Sequence, residues 1–179
     1  MLTIEIPGGE LWDPNKGEFI TQKPVTISLE HSLVSISKWE AKWQKPFLSD
    51  KKTSEEMLDY IMCMTITQNV DPNAYAFLTK SNIDDIQKYI ESPMTATTFS
   101  GKESPKRGKE RVTSELIYYW MIANNIPFEC QKWHINRLLT LIRVCSVKNA
   151  PPKKMGKRAT MSQNTSLNAA RRRALGTNG

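Results

Sequence analysis

The C-terminal stretch of this chain cannot supply a core, and that confines the fold to what precedes it. From Ser146 to Gly179 there are eight Lys or Arg residues and no Asp or Glu: Lys148, Lys153, Lys154, Lys157, Arg158, Arg171, Arg172 and Arg173. The only large apolar residues there are Val147, Met155, Met161, Leu167 and Leu175. So little apolar surface does not offset the conformational entropy of an ordered backbone. Folding therefore falls to Met1–Cys145. The chain carries 25 basic and 18 acidic residues, so without those eight cations 17 basic residues stand against 18 acidic ones. The pattern is a near-neutral body with a cationic tail. A body of about 145 residues is long enough to bury a core as one domain, and five Trp with 39% hydrophobic residues supply the material.

Several classes are disfavoured at once. Met1–Ile6 alternates polar and apolar residues and runs into Pro7-Gly8-Gly9, with neither the basic start nor the apolar segment of an export signal. The longest candidate, around Leu138–Cys145, is interrupted by Thr140 and Arg143, far short of the roughly 18 apolar residues of a membrane span. Cys63, Cys130 and Cys145 are odd in number and sit within apolar patterns, which favours free thiols in a reducing compartment. The expected location is the cytosol.

Local patterns predict an α+β protein, mostly α. Leu2–Ile6, Glu18–Thr21 and Val25–Leu29 alternate like strands of a small antiparallel β-element over residues 1–29. Glu10–Lys16 reads as a turn cluster. Helical spacing then takes over. Leu29, Leu33, Ile36 and Trp43 predict a helix over Glu30–Trp43. Thr53-Ser54-Glu55-Glu56 is a capping-box start for a helix through Met64. Pro72 opens a short helix to Leu78, and Ser81-Asn82-Ile83-Asp84 caps another. Met94–Arg111 is a loop, basic over Lys102–Arg111. Val112-Thr113-Ser114-Glu115 opens an apolar helix through Ile122, and Phe128–Cys145 is expected as the last helix, forming a central helical hairpin with it. The helical domain thus covers residues 30–147, and a disordered basic tail follows over residues 148–179.

No residue set signals catalysis, a cofactor or a metal. Cys130 and His134 would share a face if Phe128–Cys145 were one helix. A structural zinc needs about four ligands, however, and no second pair has the spacing. Glu30 and His31 are adjacent, so on a helix their side chains diverge. Glu55, Glu56 and Asp59 suit the N-terminal half of a helix. Pro7-Gly8-Gly9 lacks the Gly-Lys-Ser/Thr ending of a phosphate loop.

Two features point to partners. Tyr118, Tyr119 and Trp120 are consecutive and cannot all face inward on one helix. With Trp133, and with Arg137 or Arg143 at the rim, they form a candidate binding surface. The alternative is a helix covered on most sides. The tail, through Lys153, Lys154, Lys157, Arg158, Arg171, Arg172 and Arg173, reads three ways: a nucleic-acid arm, a segment that folds on an acidic partner, or a solubilising end. Leu167–Leu175 holds good helix formers but is too short to be stable alone. No aromatic residue follows Trp133, so the tail has nothing on which to stack bases.

The runs Glu115–Ile122, Asn125–Glu129, Trp133–Leu139 and Ile66–Pro72 resemble those of tail assembly chaperones of long-tailed bacteriophages, over roughly Ser28–Val147. The resemblance implies a helical, noncatalytic protein of the infected host's cytoplasm, absent from the mature virion. Such proteins coat the tape measure protein, keep it soluble and help tail-tube subunits assemble around it. It further implies a homo-oligomer without a membrane partner, and often a longer frameshifted product. The N-terminal strands fit less well and would suit a virion structural or connector protein. The cationic tail would suit a DNA-binding accessory protein.

Overall fold

The computed structural model describes residues 1–13, 17–99, 111–150 and 156–176. They fall into two compact units, Met1–Ser146 and Val147–Gly179. The chain is α+β and mostly helical, as its patterns predict, and the β-element belongs to the first unit. The basic loop lies almost wholly outside the described residues.

The β-element is one long antiparallel ribbon divided in two. β1 (Leu2–Ile6) pairs with β4 (Val25–Leu29), and β2 (Gly9–Asp13) pairs with β3 (Glu18–Gln22). Both ladders keep the same register, Ile6 opposite Val25 and Gly9 opposite Gln22. Pro7 therefore falls opposite Pro24, and neither can donate to the ladder. β2 replaces part of the expected turn cluster, whose residues 14–16 lie outside the described residues. The two halves differ in burial. Ile4, Ile6, Ile27 and Leu29 of β1–β4 are in the core, whereas Trp12 and Phe19 pair across β2–β3 at 5.0 Å with both rings exposed. Gly9 sits so close to Phe77 that a Cβ would lie 2.6 Å from its ring.

α1 (Leu33–Trp43) begins later than its periodicity suggests. Ser32 is its N-cap, with Ser35 closing a reciprocal capping box. Glu30 and His31 precede the helix, outside any strand or helix. The amide of Glu30 bonds to the Met64 carbonyl at 2.9 Å, and the carbonyl of His31 accepts from Ile135 at 2.8 Å. α2 (Ser54–Met64) carries the expected capping box between Thr53 and Glu56. A 3-10 helix spans Pro72–Phe77, with Pro72 in its first turn. α3 (Lys80–Glu91) is capped by Thr79 with Asn82, two residues before the expected Ser81. The hydroxyl and amide of Thr79 both bond the Asn82 side chain, and that fixes the start.

The expected central hairpin is replaced by a hub on α1. α4 (Ser114–Ala123) and a 3-10 helix over Phe128–Lys132 both pack on α1, as does α2. The continuous helix Phe128–Cys145 does not form. Trp133 and His134 are extended, His134 bridges Ser32, and α5 starts at Ile135 and runs to Asn149. Tertiary pairing with the residue 28–32 segment outweighs the helical period there.

Inside the hub, the Glu40 carboxylate is buried. Its Oε1 accepts the Phe47 amide and its Oε2 the Ser114 amide, each at 2.7 Å. It thus satisfies a free N–H of the first α4 turn across 74 positions of sequence. Trp39, also on α1, donates its indole N–H to the Glu56 carbonyl at 2.8 Å.

The second unit contains one described helix. α6 (Lys157–Leu175) is helical, ending at Gly176 in the left-handed conformation with φ 62°. Lys157, Arg158, Ala159, Met161 and Gln163 are good helix formers interspersed with Thr, Ser and Asn, and the helix begins well before Leu167. Its described side chains are exposed.

Replacing Glu40 with Ala should cost about 2–5 kcal/mol, since two buried N–H groups lose a charged acceptor. Glu40→Gln should also destabilise, because its NH2 would face one of the two donors. Urea denaturation checks both. A loss below about 1 kcal/mol for Glu40→Ala would show that the bridge contributes little.

Candidate functional site

The anticipated aromatic surface is present only in part. Thr113 caps α4, and Ile117 and Met121 fill its inward face at 0% exposure. Of the three consecutive aromatic residues, Tyr119 points outward at 63% exposure, and Tyr118 and Trp120 are half-buried. Ile122 and Phe128 add exposed apolar surface at 59% and 53%. Tyr118 donates its hydroxyl to Gln131 at 2.9 Å and its ring lies 6.3 Å from Phe128. Those contacts tie α4 to the following 3-10 helix. Trp133 is held elsewhere, under the Arg137 guanidinium at 4.2 Å from its ring. Among the described residues no ring contact joins Trp133 to the α4 aromatics. Arg143 lies 3.9 Å from the Phe99 ring.

A concave apolar surface lies between α2 and α3, and no motif marks it as a site. Two cavities of about 450 and 260 Å³ share Met57, Ile61 and Ile83, so they form one cleft. From α2 come Met57, Leu58 and Ile61, and from α3 come Ile83, Ile86 and Ile90. The α3 residues fall at i, i+3 and i+7, the spacing of one helical face. Ile61 and Ile86 are buried at the cleft floor, and Ile83 is 39% exposed at its edge. Lys52 and Glu91 line its extremities. The spacing alone reads as ordinary core, because only tertiary structure shows that the stripe is incompletely covered.

The most polar buried cluster joins residues far apart in sequence. His31 and His134 are 2% and 7% exposed, with ring centroids 4.9 Å apart. The Tyr60 hydroxyl lies 2.5 Å from His31 Nδ1. His134 Nε2 lies 3.0 Å from the Tyr89 carbonyl, so it is a donor there, while His134 Nδ1 accepts the Asn136 amide at 3.3 Å. Both contacts fit a neutral His134. Burial, then the neighbouring His134 and Lys52, lower the His31 pKa to about 3. Burial also lowers His134 and raises Tyr60. Burial thus favours the uncharged form of each of these three groups. It is a buried polar cluster within the core.

The remaining candidates do not assemble. Cys130 is buried in the 3-10 helix and His134 is extended, so the shared helix face expected of them is absent. Burial, chiefly, pushes the Cys63 thiol up, against thiolate formation. Glu56 instead holds the start of α2. Its carboxylate pairs with Lys45 and accepts the Thr53 amide, and both contacts keep it below the usual carboxylate range. Asp59 pairs with Lys42 and accepts the Trp43 indole at 2.8 Å. Among the described residues no group of three or more His, Cys, Asp or Glu could hold a metal ion, and no helix is long and apolar enough to cross a membrane. Of the cationic tail, Arg158, Arg171, Arg172 and Arg173 are exposed on α6, Lys157 begins that helix, and Lys153 and Lys154 lie outside the described residues. Comparison with protein-family models, curated proteins and solved structures found no match.

The histidine pair makes stability acid-sensitive. A base with a lowered folded pKa binds its proton more readily when unfolded, so stability is full above about pH 6.5 and falls toward about pH 3, the folded value for His31. The expected loss is about 1.4 kcal/mol per pH unit for His31 alone within that window. His31→Asn, which keeps an acceptor but does not titrate, should flatten the slope in urea titrations between about pH 7 and pH 5. An unchanged slope would assign the acid sensitivity to other groups.

Proposed function

We infer that this chain is a noncatalytic phage tail assembly chaperone that holds an apolar helix of the tape measure protein in the α2–α3 cleft. The observation that carries the reading is the cleft itself. It is concave, lined mainly by aliphatic side chains, and bounded by two helices that present apolar residues at helical spacing. Such a groove receives side chains at i, i+3, i+4 and i+7 of a partner helix. Met57 adds a flexible, polarizable contact that accommodates varied sequences. A long helical partner needs this tolerance, because no single side-chain pattern repeats along it.

The resemblance to tail assembly chaperones supplies the identity of the partner, and the exposed Tyr119, Ile122 and Phe128 face supplies a second apolar contact. That face would suit self-association or the tail-tube protein. The infected host's cytoplasm is the corresponding location, and the finished virion would lack the chain. A structural role in the virion is the competing reading, and the projecting Trp12–Phe19 ribbon is the feature that favours it.

Coexpression with the phage's longest helical protein tests the proposal. That protein should stay soluble and copurify. Ile83→Lys, at a partly exposed edge of the cleft, should weaken copurification at least about tenfold while far-UV circular dichroism is unchanged. Recovery of the long protein only in the pellet, with this chain soluble, would overturn the reading. Loss with Tyr119→Lys but not with Ile83→Lys would move the binding surface to α4. Stoichiometric presence in purified particles would favour the structural role.

A further inference from the structure

We propose that α6 is a binding element for double-stranded nucleic acid, acting through the phosphate backbone. The helix spans Lys157–Leu175, about 28 Å at 1.5 Å per residue. Its sequence contains five cations and no acid. Four of these, Arg158, Arg171, Arg172 and Arg173, have exposed side chains. Arg158 and Arg171 are separated along the axis by about 20 Å, so positive charge stands at both ends.

Helix stability explains only one of those ends. Arg172 and Arg173 lie in the last turn, where the negative end of the dipole favours cations. Lys157 and Arg158 occupy the first turn, where the dipole opposes them, and Gly156 makes no side-chain cap bond there. A cationic start is thus unfavourable to the isolated helix and favourable once an anion lies along it. Duplex DNA presents one charge per about 1.7 Å of axis, so a length matching α6 offers about 16 phosphates.

The same residues disfavour other anionic partners. A membrane-surface helix needs an apolar face opposite its charges. In α6 the large apolar residues are only Met161, Leu167 and Leu175, and the three successive Arg residues spread around the axis instead of sharing one side. Single strands are usually held by base stacking, and no aromatic residue follows Trp133. An acidic peptide has no fixed charge spacing, whereas duplex DNA repeats one charge per about 1.7 Å of axis. Arg also suits phosphate through its planar, bidentate donors. Contacts of this kind carry no base information, so the binding is sequence-independent.

The test is fluorescence anisotropy of the full chain with a mixed-sequence duplex of roughly 30 base pairs, titrated at low and moderate salt. If the five cations of α6 each neutralise one phosphate, the slope of log affinity against log salt is about −4.5. Affinity should then fall about 500-fold between about 50 and 200 mM salt. Changing Arg171, Arg172 and Arg173 together to Gln should reduce the slope to about −2 and weaken binding at low salt. Circular dichroism of the variant reports whether α6 has also been lost. An Arg158→Gln variant, outside the last turn, should reduce the slope by about 1 without removing any dipole-favoured charge. The proposal is overturned by absence of binding at about 50 mM salt, by an unchanged slope in both variants, or by tighter binding to a single strand of the same length. Displacement of the duplex by polyglutamate at equal charge concentration would likewise overturn it, in favour of an acidic protein partner.

Discussion

The segment from Ser28 to Ser32 is the constraint on which the first unit depends. It leaves the β-ribbon after Leu29, where β4 still pairs with β1, and the body closes around it. On one side Met64 and Ile66 bond to Glu30 and Ser28, and on the other Ile135 bonds to His31 while Ser32 bridges His134. Buried backbone polar groups must find partners, and these partners come from the end of α2 and the start of α5. The pairing interrupts the helical pattern at Trp133 and His134. It also brings His31 and His134 together, since both belong to the paired segments.

Glu40 completes the arrangement from the next helix. A carboxylate under the surface is costly unless hydrogen-bonded, and here both oxygens are occupied by backbone amides of separate elements. One of these lies at the start of α4. The position of that helix, and so the outward direction of Tyr119, follows from an interaction on α1. Packing on the other side of α1 places α2, whose Met57 and Ile61 then face the cleft shared with α3. The polar contacts of α1 thus orient the apolar surfaces through which the chain would meet a partner.

The two units pose different physical problems. In the first, burial of ribbon and helix faces provides the stabilisation, and the fully buried residues run from Ile6 to Leu138. In the second, α6 has exposed side chains and closely spaced charges of one sign. Its own backbone hydrogen bonds are a weak source of stability in water, and like charges along it repel. A polyanion reverses the sign of that electrostatic contribution, which is why helix formation and binding would be coupled in the tail.

Sequence alone determined the features governed by neighbours along the chain. The alternation of Leu2–Ile6 and Val25–Leu29, the Thr53–Glu56 capping box, Pro72 at a first turn and the Thr113 start of α4 are all local, as is the segregation of charge into the tail. Three consecutive aromatic residues on a helix also required one to face outward, and Tyr119 does. Tertiary structure decided what depends on contacts between distant residues. The apolar period of Phe128–Cys145 could not show that Trp133 and His134 would be drawn into extended pairing, nor could the adjacency of Glu30 and His31 show a partner at residue 134. Ile83, Ile86 and Ile90 have the spacing of a buried stripe, and their incomplete covering follows from how far α2 and α3 separate. The sequence specifies which faces are apolar. Only the packing of those faces decides which remain open to a partner.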